Sequence, residues 1–259
     1  AWTSQAVHAG DVIETHLVET EPSDGILPRP VPFSVVYEDD DILVVDKPAD
    51  TPIHPSIGNY ENTLANGIAW YFEQKGEPFV YRCINRLDRD TTGLIVLAKH
   101  ALSAAVLSQA MRSREIHRTY QAFALGETAA SGTIDAPIGR DPNSVVGRCV
   151  RPDGARAVTH YEVLGRSNGL SLLRLRPETG RTHQLRVHMA SIGCPLAGDW
   201  LYGEEDPDLI PRPALHAYAL DLDHPVTGEH LSLTAPIPAD MARLAPELLT
   251  ETECASEEI

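Results

Sequence analysis

The 259-residue chain lacks long apolar runs, and no stretch approaches the roughly 20 apolar residues that cross a lipid bilayer. Its first residues also lack the basic segment and following apolar segment that mark an export signal. We therefore expect a soluble cytoplasmic protein with no membrane partner. At this length the chain can bury a sizeable core, either as one large domain or as two subdomains around a cleft.

Cysteine is scarce and widely spaced, since the four cysteines form no Cys-x-x-Cys pair. This spacing argues against a zinc knuckle and against a disulfide framework, so we expect reduced thiols. A histidine metal site is disfavoured as well. His183 and His188 are five positions apart, whereas a spacing of four places two ligands on one helix face. We expect no metal.

Lysine is also rare, because 18 of the 21 basic residues are arginine, and the net charge is -16. Such acidity argues against a polyanionic partner for the molecule as a whole, since phosphate contacts dominate nucleic-acid affinity. The charge is segregated, however. Residues 1–50 carry 11 acids and 2 basic residues, and residues 204–259 carry 13 and 2. Residues 80–119 instead carry 7 basic residues and 3 acids, and residues 140–190 carry 9 and 4.

Arginine suits bidentate phosphate contacts and stacking, so a basic face on an acidic molecule is compatible with an RNA substrate. The alternative is a general surface acidity without functional meaning. Residues 138–156 form an arginine-containing loop that is either an RNA clamp or a mobile solvated loop.

A polar segment, residues 86–92, directly precedes the apolar run 93–97. The run predicts a strand buried on both faces, so the polar segment is a loop at the edge of the core. Asp88 and Asp90 then have two interpretations. They satisfy loop amides, or one of them is a carboxylate kept ionised by arginine and used as a nucleophile or base. Spacing alone leaves both open, and an aspartic-protease interpretation is weak because a second such loop is needed.

Two further segments carry candidate residues. Residues 117–125 alternate as a strand, in which Tyr120 by pattern alone is a half-buried aromatic. In residues 179–193, Thr182 is the expected cap of a helix whose apolar positions face the core, with Gly193 as its end. On that helix His183 and Arg186 lie near one another.

These segments together resemble a known family. Residues 86–94 read Arg-Leu-Asp-Arg-Asp-Thr-Thr-Gly-Leu, and residues 179–188 read Thr-Gly-Arg-Thr-His-Gln-Leu-Arg-Val-His, continuing to Gly198-Asp199 and Tyr202-Gly203. Both resemble the motifs of the RluA-type RNA pseudouridine synthases, and residues 38–49 resemble the opening motif of that family. The chain departs from the family pattern at four positions: Asn85, Thr92, Asp50 and Arg118.

The resemblance implies an α+β fold, with a long, mixed, mostly antiparallel sheet, flanking helices and a central basic cleft. It implies isomerisation of uridine to pseudouridine without a cofactor, with Asp88 as the catalytic residue. Arg186 is expected to pair with Asp88, and Tyr120 to stack on the uracil. The remaining expected RNA contacts are Arg86, Arg89, Thr92, Arg181, His183 and Lys47; for Lys47 the alternatives are a structural contact and a solvated strand end.

The resemblance also sets expectations for partners and domains. The substrate is expected to be RNA rather than DNA, with ribosomal RNA before transfer RNA, and the protein a monomer. Residues 1–30 are expected to be an arm, or a remnant of an S4-like module, residues 31–245 the catalytic domain, and residues 246–259 an acidic tail. The main rival is a catalytically silent RNA-binding or ribosome-assembly protein of the same fold. Loss of Asp88, Tyr120 or Arg186 would be typical of it, and all three are present.

Overall fold

The computed structural model describes residues 6–12 and 22–249. The named helices in this part of the chain are α1 (Leu64–Lys75), α2 (Ala101–Ser113), α3 (Gln184–Ser191) and α4 (Ala239–Ala242), and residues 246–249 are helical as well. Its strands are β1 (Ser34–Glu38), β2 (Ile42–Lys47), β3 (Thr92–Ala98), β4 (His117–Leu125), β5 (Ser131–Asp135), β6 (Ile138–Arg140), β7 (Arg148–Val150), β8 (Val158–Ser167), β9 (Leu170–Pro177), β10 (Leu215–Asp223) and β11 (His230–Thr234).

Nine of these strands form one sheet in the order β1-β2-β3-β10-β4-β9-β8-β5, with β11 paired to β10. The pairs are antiparallel except β3 with β10, which is parallel. The prediction of a mixed, mostly antiparallel sheet is thus confirmed. The strands β6 and β7 form a separate hairpin.

The sheet has apolar side chains on both faces because residues in β2 and β3 alternate between them. Leu43 and Ile95 belong to the cluster that α1 and α3 cover. Val44 and Val96 belong to the cluster that contains Leu107 of α2. All seven residues of β3 are buried, as predicted for a strand covered on both faces.

Several predicted elements have different limits. The sequence predicts Asn62 as the cap of α1, but Thr63 caps the helix in a reciprocal capping box with Asn66. The predicted cap of α3 at Thr182 is wrong, because His183 occupies the N-cap position in a left-handed conformation without a side-chain cap bond. The hairpin of β6 and β7 lies within residues 138–156, for which the sequence predicts a loop. The run Gly10-Asp11-Val12-Ile13 has the pattern of a strand, but residues 10–12 form none, and residue 13 lies outside the described residues.

The two ends of the longer described range, residues 22–249, are attached to the body of the fold. Near the start, the Asn66 side chain donates to the Leu27 carbonyl at 2.8 Å, and the Tyr81 amide donates to Ser23 Oγ at 2.8 Å. Near the end, Leu248 is buried in a cluster with Phe123. The packed body therefore extends beyond the expected boundary at residue 245, and the rest of the expected tail, residues 250–259, lies outside the described residues. Within the described ranges, no helix has both the length and the apolar character to cross a membrane.

Candidate active site

A cavity of about 510 Å³ opens between the loop before β3, the C-terminal end of α2, the start of β4 and the start of α3. Its polar lining is strongly basic. Six arginines contribute to it, against the carboxylates of Asp88 and Glu178; the arginines are Arg86, Arg112, Arg114, Arg118, Arg181 and Arg186. The two sequence motifs thus meet across one basic cavity.

The loop that carries Asp88 is held by its flanking residues. Asn85 is buried, donates to the Leu94 carbonyl at 3.0 Å and accepts from the Val96 amide at 2.8 Å, which fastens the start of the loop to β3. At the other end, Gly93 has φ 111°, and a Cβ there would lie 2.3 Å from the Ala217 carbonyl oxygen. Glycine is required there because β10 approaches so closely.

Lys47, at the end of β2, holds the same loop through its side chain. It is fully buried, and its ammonium donates to the carbonyls of Pro48 at 2.7 Å and Arg89 at 2.8 Å. Burial lowers the pKa of Lys47 to about 7, although the carboxylates of the loop partly oppose this shift. The expected RNA contact at Lys47 is therefore wrong, and its structural alternative is the one observed.

Asp88 itself is partly accessible, with 27% of its side chain exposed. Its nearest cation is Arg186, whose Nη1 lies 3.8 Å from Asp88 Oδ2, too long for a hydrogen bond. The guanidinium of Arg186 instead makes a bidentate contact with Asp199, in which Nε donates to Oδ2 at 2.8 Å and Nη2 donates to Oδ1 at 2.7 Å. The expected pairing of Arg186 with Asp88 is thus a loose contact, and the main partner is Asp199.

Asp199 is fully buried and also accepts from the amides of Leu201 and Tyr202 at 3.1 and 3.2 Å. Burial lowers the pKa of Arg186, but the hydrogen bonds and charge of Asp199 outweigh it and raise that pKa above its ordinary value. Arg186 is therefore a fixed, permanently charged group, and its Nη1, which has no hydrogen-bond partner among the described residues, lies towards Asp88.

Tyr120 lies in β4 on the cavity wall and is only 5% exposed, less than the half-buried position that its pattern predicts. Burial raises the pKa of its hydroxyl, which the positive charge of Arg118 opposes. Arg118 also lines the cavity, and its Nε is buried without a hydrogen-bond partner in the described part of the chain. Both side chains are thus aimed at the space beside Asp88.

His183 lines the cavity in a left-handed backbone conformation with φ 56°, which is uncommon outside glycine. Its Nδ1 lies 2.7 Å from the hydroxyl of Tyr202. Burial lowers the pKa of His183, and the negative charge of Asp88 partly opposes this. The ring is therefore neutral at neutral pH.

The other expected RNA contacts divide into two groups. Arg86 and Arg181 are exposed and line the cavity. Arg89 is exposed but pairs with Asp50 away from the cavity lining. Thr92 is wrong as an RNA contact, because it is buried in β3 with its hydroxyl 2.8 Å from His216 Nδ1.

Sequence reasoning gave no role to Asp199, Tyr202, Arg112 or Arg114. Asp199 and Tyr202 stand in the run that follows the second motif, and an aspartate after a glycine in an apolar context was the available signal. Nothing in the local pattern marks Arg112 and Arg114, which reach the cavity because α2 ends at its rim.

One group in the described residues has the spacing of metal ligands, namely Asp39, Asp41 and His224. It does not line the cavity. Its atoms are used within the protein, since His224 Nε2 lies 2.8 Å from Asp39 Oδ2, and Asp39 Oδ1 accepts from the amides of Asp41 and Ile42. These contacts account for the cluster as a structural junction.

The cavity thus combines a partly exposed carboxylate with six arginines and a buried tyrosine, groups that suit a polyanionic substrate. The family model described as RNA pseudouridylate synthase matches residues 41–191, more than half of the chain. The chain therefore belongs to the RNA pseudouridine synthases, isomerases that act on uridines of RNA, as the resemblance implied.

Individual relatives agree with this assignment. The chain is 44% identical over 242 residues to the "Uncharacterized RNA pseudouridine synthase YhcT" of Bacillus subtilis, covering 92% of this chain and 79% of that one. It is 38% identical to the "Ribosomal large subunit pseudouridine synthase D" of Haemophilus ducreyi, covering 98% of this chain and 82% of the relative. A solved structure of human RNA Pseudouridylate Synthase Domain Containing 1 matches with TM-score 0.68 and 28% identity, covering 87% of this chain and 89% of that one.

Proposed function

We propose that this isomerase modifies uridines of large-subunit ribosomal RNA, with Asp88 as its catalytic carboxylate. The observation that carries the catalytic assignment is the partial exposure of Asp88 inside the arginine-lined cavity, 3.8 Å from Arg186 Nη1. The ribosomal target is supported by relatives named for that activity at 38 to 41% identity. We also propose that it acts as a monomer in the cytoplasm.

The reaction breaks the bond between ribose C1′ and uracil N1, turns the base and forms a bond from C1′ to C5, while C5 loses its proton and N1 gains one. A stacked base hides the reacting atoms, so the uridine must leave its helix to enter the cavity. Asp88 then either attacks or deprotonates the sugar. Nη1 of Arg186 supplies a positive charge beside the carboxylate without capturing both of its oxygens.

Two side chains complete the proposed substrate contacts. Tyr120 stacks on the uracil from the wall of the cavity. Arg86 is exposed at the rim, where its guanidinium stands beside the place that the base leaves. Neither role requires a group that changes its oxidation state.

Asp88→Asn tests the catalytic assignment. Asparagine conserves the volume but is neither an anionic nucleophile nor a base, so the stabilisation of the transition state should be lost while phosphate contacts remain. We expect undetectable pseudouridine formation on an RNA substrate, RNA affinity within several-fold of the original, and thermal stability that is unchanged or raised.

Asp90→Asn is the matched control, since it removes a carboxylate of the same loop that does not line the cavity. It should remain active. If Asp88→Asn converts uridine at a comparable rate, or if Asp90→Asn is the inactive variant, the assignment to Asp88 is wrong.

The target is tested separately by chemical mapping of pseudouridine in RNA from cells with and without this gene. We expect at least one large-subunit ribosomal position to lose its modification in the deletion strain and to regain it with the intact gene. Loss confined to transfer RNA would contradict the proposed target and leave the reaction unchanged.

A further inference from the structure

Tyr202 lies where the second motif ends and is hydrogen-bonded on two sides. Its hydroxyl is 2.8 Å from the backbone nitrogen of Arg148, at the start of β7, and 2.7 Å from Nδ1 of His183. Its ring also lies under the Arg186 guanidinium, 5.0 Å from the centroid to Cζ. Tyr202 thus contacts two residues of the cavity and ties both to the hairpin of β6 and β7.

The directions of these bonds follow from which groups can donate. A backbone N–H only donates, so the Tyr202 oxygen accepts from Arg148. Burial raises the pKa of Tyr202, so the phenol keeps its single proton at neutral pH. Between residues 22 and 249 the remaining polar atom at the hydroxyl is His183 Nδ1. The phenol therefore donates to that nitrogen, because the opposite direction would leave its own proton without an acceptor.

A neutral imidazole that accepts at Nδ1 carries its proton on Nε2. His183 Nε2 has no hydrogen-bond partner within the described part of the chain, and the ring lines the cavity that holds Asp88. The left-handed backbone at His183 is consistent with this arrangement, since strained backbone is retained where the surroundings fix a functional geometry.

We propose that Tyr202 is a positioning residue that fixes His183 as the Nε2–H tautomer, so that His183 donates a hydrogen bond to an oxygen of the bound uridine nucleotide. This proposal rests on the proposed function for its ligand, but not for the tautomer, which is a property of the free protein. The hairpin of β6 and β7 contributes to this positioning. The Arg148 amide donates to the Tyr202 oxygen, so the Tyr202 hydroxyl proton is directed to His183 Nδ1.

Imidazole ¹⁵N spectra of the unliganded protein test the tautomer directly. The His183 signals are assigned by their absence in His183→Gln. In the native protein we expect an unprotonated Nδ1 and a protonated Nε2, and in Tyr202→Phe a mixture of both tautomers. A native spectrum with the proton on Nδ1 would overturn the proposal. This measurement needs no turnover, so failure of the Asp88 assignment would not affect it.

Kinetics test the consequence. Tyr202→Phe keeps the ring below Arg186 and removes one hydrogen bond, so we expect about a ten-fold fall in kcat. Tyr161→Phe is the control, because its hydroxyl bonds Thr128 at 3.1 Å outside the cavity lining, and its kcat should not change. An unchanged kcat in Tyr202→Phe would contradict the positioning role.

The donor role of His183 is tested by a pair of variants that differ in whether the side chain carries an N–H donor. Glutamine places an N–H donor near the position of Nε2, whereas phenylalanine retains a ring without a donor. We expect His183→Gln to keep at least several-fold more activity than His183→Phe. Equal losses in the two variants, with retained folding in both, would exclude a hydrogen bond from His183 to the substrate.

Discussion

Arg186 is a buried cation with two carboxylates in reach, and it contacts them unequally. Two of its nitrogens bond Asp199 at 2.8 and 2.7 Å, whereas Nη1 stays 3.8 Å from Asp88. Asp199 fixes the guanidinium before any substrate arrives, and such preorganised charge needs no rearrangement during the reaction. Among the described residues Asp88 has no bidentate partner, so its oxygens remain available for the proposed chemistry.

Asp199→Asn should therefore affect stability as well as activity. The substitution leaves Arg186 buried without its counter-charge, and breaking a buried pair in this way costs ~3–5 kcal/mol. We expect a fall of that order in the free energy of unfolding, measured by urea denaturation, together with loss of pseudouridine formation. Asp88→Asn is the comparison, since its 3.8 Å contact is loose and its side chain is partly exposed. A smaller fall in the free energy of unfolding for Asp199→Asn than for Asp88→Asn would contradict this account.

Variants of Arg186 separate charge from geometry. Lysine keeps the charge but cannot place two parallel donors on Asp199, so we expect Arg186→Lys to fold with impaired activity. Arg186→Met removes the charge beside Asp88 and leaves the Asp199 carboxylate buried without its cationic partner. We expect this variant to be nearly inactive. Turnover numbers and circular dichroism of both variants check this. Full activity in Arg186→Met would assign the partner of Asp88 to another group, such as Arg181 at the cavity rim.

Among the elements, the strands were the most predictable. Residues 117–125 alternate in polarity and form β4 within the same limits, and the apolar run 93–97 lies inside the fully buried β3. Alternation of polar and apolar residues with a period of two is a local sequence pattern, so it predicts a strand without knowledge of distant contacts. The loop before β3 was also predictable as a polar segment at the edge of the core.

The contacts that hold this loop could not be predicted, because they join residues far apart in sequence. Lys47 bonds the carbonyl of Arg89, and Thr92 bonds His216 of β10. A lysine after a strand and a threonine in a polar loop are ordinarily exposed, and tertiary packing reverses that preference here. The pairing of Arg186 with Asp199 likewise depends on the turn at Gly198, where backbone oxygens leave no room for a Cβ.

The anchoring of the Asp88 loop by Lys47 gives a pH-dependent prediction. A neutral amine has two N–H donors, which matches its two carbonyl partners. The folded state releases the proton of Lys47 near pH 7, whereas the unfolded chain keeps it until about pH 10.5. Between these values the unfolded state binds more protons, so this group makes the folded state more stable as pH rises.

We therefore expect the native protein to gain stability relative to Lys47→Met between about pH 7 and about pH 10. Denaturant unfolding of both proteins at several pH values measures this difference, in which the titrations of other groups largely cancel. The variant should also turn over more slowly, because the two carbonyls at the base of the loop lose their donor. A stability difference that is constant over this range would show that the lysine is charged in the folded protein.

At the scale of the whole molecule, the charge segregation of the sequence corresponds to a basic cavity in the fold. The basic middle of the chain supplies the six arginines of the cavity. The acidic stretch 38–41 is partly neutralised within the fold, as Glu38 accepts from Lys75 at 2.7 Å and from Lys99 at 3.1 Å. A net charge of -16 thus coexists with a locally basic cleft that can attract RNA.

RNA affinity should then fall steeply with salt, because each phosphate contact releases counterions. For single-stranded RNA the slope of log affinity against log salt is about -0.7 for each contact, so it counts the phosphates bound. Arg112 is exposed at the cavity rim, and we expect Arg112→Gln to reduce the slope by about one contact. Arg29→Gln is the control, because Arg29 pairs with Glu61 away from the cavity lining and should leave the slope unchanged. If RNA affinity does not depend on salt, or if the slope changes equally in both variants, the arginines of the cavity do not bind RNA phosphates.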